Sequence, residues 1–319
     1  MRVVIVGGSG HVGTYLVPRL VEAGYEVINL TRGKRDPYQP HAAWRQVQTI
    51  TADRDAEDAA GTFGSRVRDL KPDIVIDMIC FSLPSAVQIA EALRGRVTHF
   101  LHCGTIWAHG ASTVVPATES LPRFPFGEYG IQKNAIESYL LDEARRGNLP
   151  ATVIMPGHIV GPGWNPLNPQ GNFNPQVFEV LARGEELALP NLGLETVHHV
   201  HADDVAQAFQ RSIEHWSTSV GESFHTVSEQ AITLRGYAQA VAGWFNQEAR
   251  LTFQPFETWR TTVSEADAAQ TLEHIGHSPN ASIAKARQHI DYQPRYSSLQ
   301  SIYEAVNWMI ANQVIQISK

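Results

Sequence analysis

Cysteine is nearly absent: Cys80 and Cys103 are the only two in 319 residues. Two thiols at or near the ends of apolar runs cannot build a disulfide framework, and they read as reduced side chains. Long apolar runs are missing as well. No stretch has the length needed to cross a bilayer, so a membrane partner is not expected. The chain leads from Met1 straight into a strand-like run with no leader pattern, which makes the cytoplasm the expected compartment. Basic blocks are also lacking. With 25 Lys and Arg against 32 Asp and Glu, the net charge is −7, which argues against nucleic acid as the main partner. No internal repeat or low-complexity tract interrupts the sequence.

What is present begins at the N-terminus. Arg2-Val-Val-Ile-Val6 is a β-branched run suited to a strand buried on both faces. It passes into Gly7-Gly-Ser-Gly10-His-Val-Gly13 and then into an amphipathic helical stretch ending at Gly24. Strand, glycine turn and helix in that order form the context of a dinucleotide-binding turn, with a helix N-terminus facing a pyrophosphate. Gly7, Gly10, His11, Val12 and Gly13 are the expected contacts there. A second strand, Glu26–Leu30, should end on an acidic residue if the cofactor were NAD. The chain instead reads Thr31-Arg32-Gly33-Lys34-Arg35. A guanidinium matches a 2′-phosphate, so Arg32 favours NADP over NAD, with both retained as candidates.

The alternation continues. Residues 73–77, 98–103 and 152–155 read as further strands, separated by helical stretches around 54–70, 83–94 and 128–146. This pattern predicts an α/β fold with a doubly wound parallel sheet, the Rossmann arrangement. Residues 1–156 are expected to form the dinucleotide-binding domain. Residues 157–319 should be mainly a smaller, substrate-binding part, with some segments returning to the Rossmann core. The Pro-, Gly- and Asn-rich stretch from Pro156 to Gly171 reads as one long irregular loop suited to holding substrate.

Within the run FGEYGIQKNAIESYLL, Tyr129 and Lys133 are spaced to share one helix face. A free phenol titrates near pH ~10, and a neighbouring ammonium is expected to draw that value down towards the range of general acid–base catalysis.

Taken together, these motifs resemble the extended short-chain dehydrogenase/reductases of the NAD-dependent epimerase/dehydratase family. Gly7, Gly10 and Gly13 match the cofactor turn, and Thr51-Ala-Asp53-Arg54-Asp55 matches the stretch that meets the adenine. Thr105-Ile-Trp-Ala-His-Gly110, Tyr129-x-x-x-Lys133, Met155-Pro156-Gly-His158-Ile-Val-Gly-Pro-Gly163 and His201-Ala-Asp-Asp204-Val-Ala follow in family order. The resemblance implies that Tyr129 is the acid/base, that Lys133 holds the nicotinamide ribose and lowers the Tyr pKa, and that Thr105 hydrogen-bonds the reacting oxygen. It places Asp53, Arg54, Lys133 and Pro156 at the cofactor beside the glycine turn and Arg32. It places Cys80, Thr105, Trp107, Tyr129, His158 and Trp164 around the substrate. The implied activity is nicotinamide-dependent epimerisation of a sugar-like, possibly nucleotide-linked substrate. NADP-dependent reduction or oxidation of a carbinol, and nucleotide binding without catalysis, remain alternatives. A homodimer paired through the Tyr129 helix is implied too.

Departures from the family pattern narrow the chemistry. Ile106 and Trp107 stand where dehydratases carry an Asp-Glu pair, so water loss is not expected. Val197 and Met155 occupy positions where nucleotide-sugar members carry Arg, and His158 replaces an Asn; Arg183 and Arg260 have no local pattern of phosphate binding. His109 replaces a Tyr beside Gly110, where it either meets substrate or bonds within its loop. Trp107, Trp164 and Phe173 read either as an apolar wall for a sugar ring or as core. His198, His199 and His201 with Asp203 superficially suggest a metal cluster, but an Asp-Asp pair leading a helix is a capping signal, and no metal is expected.

Overall fold

The computed structural model describes residues 1–317. Strands β1 (Arg2–Val6), β2 (Glu26–Thr31), β3 (Gln48–Thr51), β4 (Ile74–Asp77), β5 (His99–Cys103) and β6 (Ala151–Pro156) carry the β-branched and apolar runs of the first half. The later strand Ser223–Thr226 joins them, and the seven lie in the order Ser223–Thr226, β6, β5, β4, β1, β2, β3, all parallel. Helices α1 (His11–Glu22), α2 (Arg54–Ala59), α3 (Phe63–Asp69), α4 (Leu83–Leu93) and α5 (Gly127–Arg145) lie in the connections of the first six strands, except between β2 and β3, where a 3₁₀ turn at Ala42–Gln46 stands instead. The chain order reverses between β1 and β4. A doubly wound sheet opens its ligand crevice at that reversal, at the carboxyl ends of the strands.

Two expectations change in detail. The single helix expected around 54–70 is two helices, broken where Gly61 takes a φ of +70°, a left-handed conformation glycine adopts at no steric cost. The stretch after Pro156 is not wholly irregular. His158–Val160 forms a short strand pairing in parallel with His199–His201, so its proline- and glycine-rich surroundings conceal a fixed element.

The core divides in two. One cluster covers the central sheet, with Val4, Ile5, Ile76, Leu101 and Ile154 fully buried against Leu16, Ile89, Ile136 and Phe209 of the flanking helices. The second joins Val160 and Leu167 to Leu189, Val197, Tyr237, Trp259, Ile302 and Met309, all from the second half. The helix Ala202–Glu214 returns to the first body, where Asp203 accepts from Arg19 of α1 at 2.5 Å and pairs with Arg295.

The glycine turn shows why backbone space is fixed there. A Cβ on Gly13 would overlap the carbonyl group of Gly8, which is backbone and cannot swing away. Gly13→Ala is therefore expected to destabilise the protein by about 3 kcal/mol and to abolish dinucleotide binding. Thermal melting and cofactor titration of the variant check both effects.

Candidate active site

At the end of β1, Gly7 has a φ of +88° and donates its N–H to the Leu30 carbonyl at 2.9 Å. The turn is braced by Asn29 of β2, which is buried. Its side chain accepts from the Gly8 N–H at 3.0 Å and donates to the Ser9 hydroxyl at 3.1 Å. Gly10 precedes α1 without any side-chain cap, and the first in-helix bond is from Thr14 N–H to the Gly10 carbonyl. The amides of His11, Val12 and Gly13 thus point out of the helix end as free donors. A Cβ on Gly10 would press on the Gly7 carbonyl oxygen at 3.2 Å, so a side chain there would crowd the backbone of the turn. An uncapped helix start behind a tight glycine turn fits a dinucleotide pyrophosphate.

Trp164, from the loop after the His158–Val160 strand, stacks on the His11 imidazole with ring centroids 5.1 Å apart. Burial, reinforced by His201, holds His11 uncharged with a pKa of about 3. Arg32 is exposed at the end of β2 with Lys34 and Arg35 following. Asp53 caps α2 by accepting the Ala56 N–H at 3.2 Å. Arg54 is buried, with its guanidinium on Asp77 at 2.5 Å and Asp58 at 3.2 Å. It carries structure between α2 and β4 and offers little of itself to a ligand. Pro156 is buried at the end of β6, beside Thr226 of the neighbouring strand.

Thr105 follows β5 and turns the chain. Its hydroxyl accepts the Trp107 N–H at 3.2 Å and faces the phenol oxygen of Tyr129. Lys133 lies on the buried face of α5 with Ile136 and Leu140, the spacing of a core-facing helix stripe. Its ammonium donates to the carbonyls of Cys80 at 2.8 Å and Cys103 at 2.6 Å and lies 4.7 Å from the Phe81 ring centroid. Lys133 thereby ties the ends of β4 and β5 together beneath Tyr129.

The expected lowering of the Tyr129 pKa is not what this structure holds. Although 41% of Tyr129 is exposed, its hydroxyl end faces Thr105 and Cys103, and burial pushes the phenol up to about 12 against the opposing Thr105 hydrogen bond. The Lys133 charge is spent on two carbonyls, 5.9 Å from the phenol ring centroid. Cys80 shows only its backbone to this arrangement. Its thiol is 1% exposed and raised to about 11, chiefly by burial.

Trp107 forms the wall beside Tyr129, with ring centroids 6.1 Å apart. Around it gather His158 at 5.8 Å, His274 at 4.9 Å and His277 at 4.1 Å, the last sandwiched against Phe126 at 4.0 Å. Phe173 edges His274 at 5.5 Å. Sequence reasoning missed His274 and His277. They sit on the helix Glu265–His277, where the spacing Thr271, His274, His277 marks one buried face and was the available signal. His109 belongs to a different network. Arg123 donates to His109, His109 bonds His225 at 2.7 Å, and His225 donates to the Ser282 carbonyl at 3.1 Å. His198 is satisfied by the Ser228 carbonyl and the Ala281 N–H, and no cluster of metal-ligand type occurs among the described residues. A cavity of about 800 Å³ lies elsewhere, lined by Glu119, Arg123, Glu137, Arg145 and Lys285. It includes neither the glycine turn nor Tyr129.

The sequence model described as the NAD dependent epimerase/dehydratase family matches residues 3–80 and 82–225. The chain belongs to that family. It is accordingly a nicotinamide-dinucleotide enzyme of the extended short-chain dehydrogenase/reductase type. A UDP-glucose 4-epimerase of Mycolicibacterium smegmatis is 23% identical over 89% of this chain and 96% of its own length. A 2′-dehydrokanamycin reductase of Streptomyces kanamyceticus is 29% identical over 65% of this chain, and the match spans only 56% of that relative. Among solved structures, UDP-glucose 4-epimerase of Thermotoga maritima with UDP-glucose superposes with a TM-score of 0.74 at 20% identity, covering 98% of this chain and all of that one. The fold is shared with it throughout.

Proposed function

We propose that this protein epimerises a sugar-like carbinol by internal oxidation and re-reduction, with Tyr129 as its acid/base. The observation that carries the reading is the pairing of Tyr129 on α5 with Thr105 beyond β5, with no acid or base in the two positions that follow Thr105. Those positions are Ile106, which is buried, and Trp107, neither able to transfer a proton. That favours hydride transfer with Tyr129 as the proton carrier over water loss, which needs an acid and a base there. A nicotinamide supplies the hydride acceptor and its return.

The chain's own groups divide the remaining work. The amides of His11 and Val12 beside Gly10 receive the pyrophosphate, and Lys133 holds the ribose. Thr105 and Tyr129 hold the carbinol oxygen, and the phenolate takes its proton as the carbon is oxidised. The same proton returns when the carbonyl is reduced from its other face, so atoms and electrons balance within one turnover. The part after residue 156 supplies most of the substrate wall, through His158 and the His274 helix, whereas Trp164, expected at the substrate, stacks on His11 at the glycine turn instead. The Trp164–His11 stack over the glycine turn supports a retained cofactor, as internal redox requires.

A second reading, NADP-dependent net reduction, rests on Arg32. It is exposed at the ribose end, with no acidic partner among the described residues. Absorbance and mass of the nucleotide released on denaturing freshly purified protein separate the two. NAD at close to one per chain is expected. Empty protein that binds NADPH reversibly would transfer the assignment to a reductase.

A further inference from the structure

Two imidazoles beside Trp107, His158 and His274, and a third behind them, His199, carry more information than their packing. His274 Nδ1 lies 2.7 Å from the Gln270 carbonyl, and His199 Nε2 lies 3.3 Å from the Leu167 carbonyl. A carbonyl only accepts, so these ring nitrogens carry the protons. The opposite nitrogens, His274 Nε2 and His199 Nδ1, are therefore bare acceptors. His158 lies between the two rings, 4.8 Å from His274 and 5.6 Å from His199 by ring centroid. Its Nε2 and His199 Nδ1 are buried with no hydrogen-bond partner. Buried polar groups without partners are rare and call for a ligand or an ordered water. All three rings are uncharged: burial holds His274 near 4 and His199 near 3, and His158 well below its usual value. The electrostatic neighbours acting on His158 are other histidines. Arg183 and Arg260 are surface residues paired with Glu185 and Glu257, and Val197 is buried in the second core.

We propose that His158, His199 and His274 form the substrate-recognising wall, and that it selects a neutral, hydroxyl-rich sugar or glycoside over a sugar nucleotide. The reasoning is one of donor and acceptor matching. A diphosphate presents only acceptor oxygens and negative charge, which a cation-poor wall with acceptor nitrogens on His199 and His274 leaves largely unpaired. Sugar hydroxyls present donors to the same nitrogens, while the Trp107 face takes the apolar side of the ring. This rests on the epimerase reading above but fails separately from it.

The test uses the cofactor-loaded enzyme and bound-nicotinamide absorbance at 340 nm, with a panel of methyl hexopyranosides and free hexoses against UDP-glucose and UDP-galactose. Reduction by members of the neutral panel, with none by the UDP-sugars, is expected. His274→Phe should then raise KM about tenfold while leaving kcat within about threefold, because it keeps the ring shape and removes the acceptor. His274→Gln, whose amide oxygen accepts, should recover most of that loss. UDP-sugars reducing the cofactor while neutral sugars do not would overturn the substrate class and leave the epimerase reading intact. A His274→Phe variant indistinguishable from the parent would reduce the wall to packing. Absorbance unchanged by either panel would remove both this inference and the epimerase reading.

Discussion

Lowering the pH from 7 to 5 is expected to cost this protein most of its stability. The cause is the set of histidines held neutral by burial. His99 and His199 have pKa values of about 3, His198 and His274 of about 4, and His102, His158 and His225 lie well below the usual imidazole value. Unfolding releases each to a pKa near ~6.5. Between the two values the unfolded chain binds the proton and the native one does not, so stability falls as pH falls. Each such group contributes up to about 2 kcal/mol of loss between pH 7 and pH 5. Buried acids work the other way: Asp204 is raised to about 6 by burial, and Glu119 is raised by the same cause, so both gain on acidification. The histidines outnumber them. A domain of ordinary stability holds about 5–15 kcal/mol, and a few uncompensated imidazoles are enough to exhaust it. Urea midpoints at the two pH values give the answer. A fall to less than half is expected, and equal midpoints would mean that the buried rings titrate in the native state as they do in the unfolded chain.

These same histidines mark the limit of what the sequence reveals. The β1–glycine–α1 unit is legible because the hydrophobic period changes from continuous to helical within a dozen residues, and the glycines separate the two. Helix α5 is barely amphipathic, with Lys133, Glu137 and Glu143 on its buried face, so the side shared by Tyr129 and Lys133 is legible from their four-residue spacing and not from a hydrophobic period. The strand His158–Val160 is not, because its partner lies at His199–His201 and the proline-rich surroundings hide a pairing that exists only in three dimensions. His274 and His277 lie more than a hundred residues from Trp107 in the chain and meet it through tertiary packing alone. The position of Lys133 is legible, but its contacts are not. Spacing places it beside Tyr129, whereas the carbonyls that claim its ammonium come from the ends of two other strands.

Replacing Tyr129 by Phe should lower kcat by about 10³-fold, the scale of a lost general acid–base group. Dinucleotide affinity should stay within about threefold, since the glycine turn and Lys133 are untouched. The ring itself packs against Trp107 and lies 6.4 Å from Phe81, contacts a Phe retains, so folding is preserved and the loss is chemical. The pH profile makes the assignment specific. In the structure the phenol is raised to about 12, too high to act as a base near neutrality. The phenolate of Tyr129 would be stabilised, and its value moved down, by the positive charge that an oxidised nicotinamide would supply nearby. Oxidation of the bound sugar by wild-type enzyme should therefore accelerate with rising pH along a limb whose midpoint lies well below 12, and that limb should vanish in Tyr129→Phe. Stopped-flow reduction of the bound cofactor measures both. If the variant keeps the parent's rate and the same limb, another group carries the proton, and the reading of Tyr129 as the acid/base is wrong.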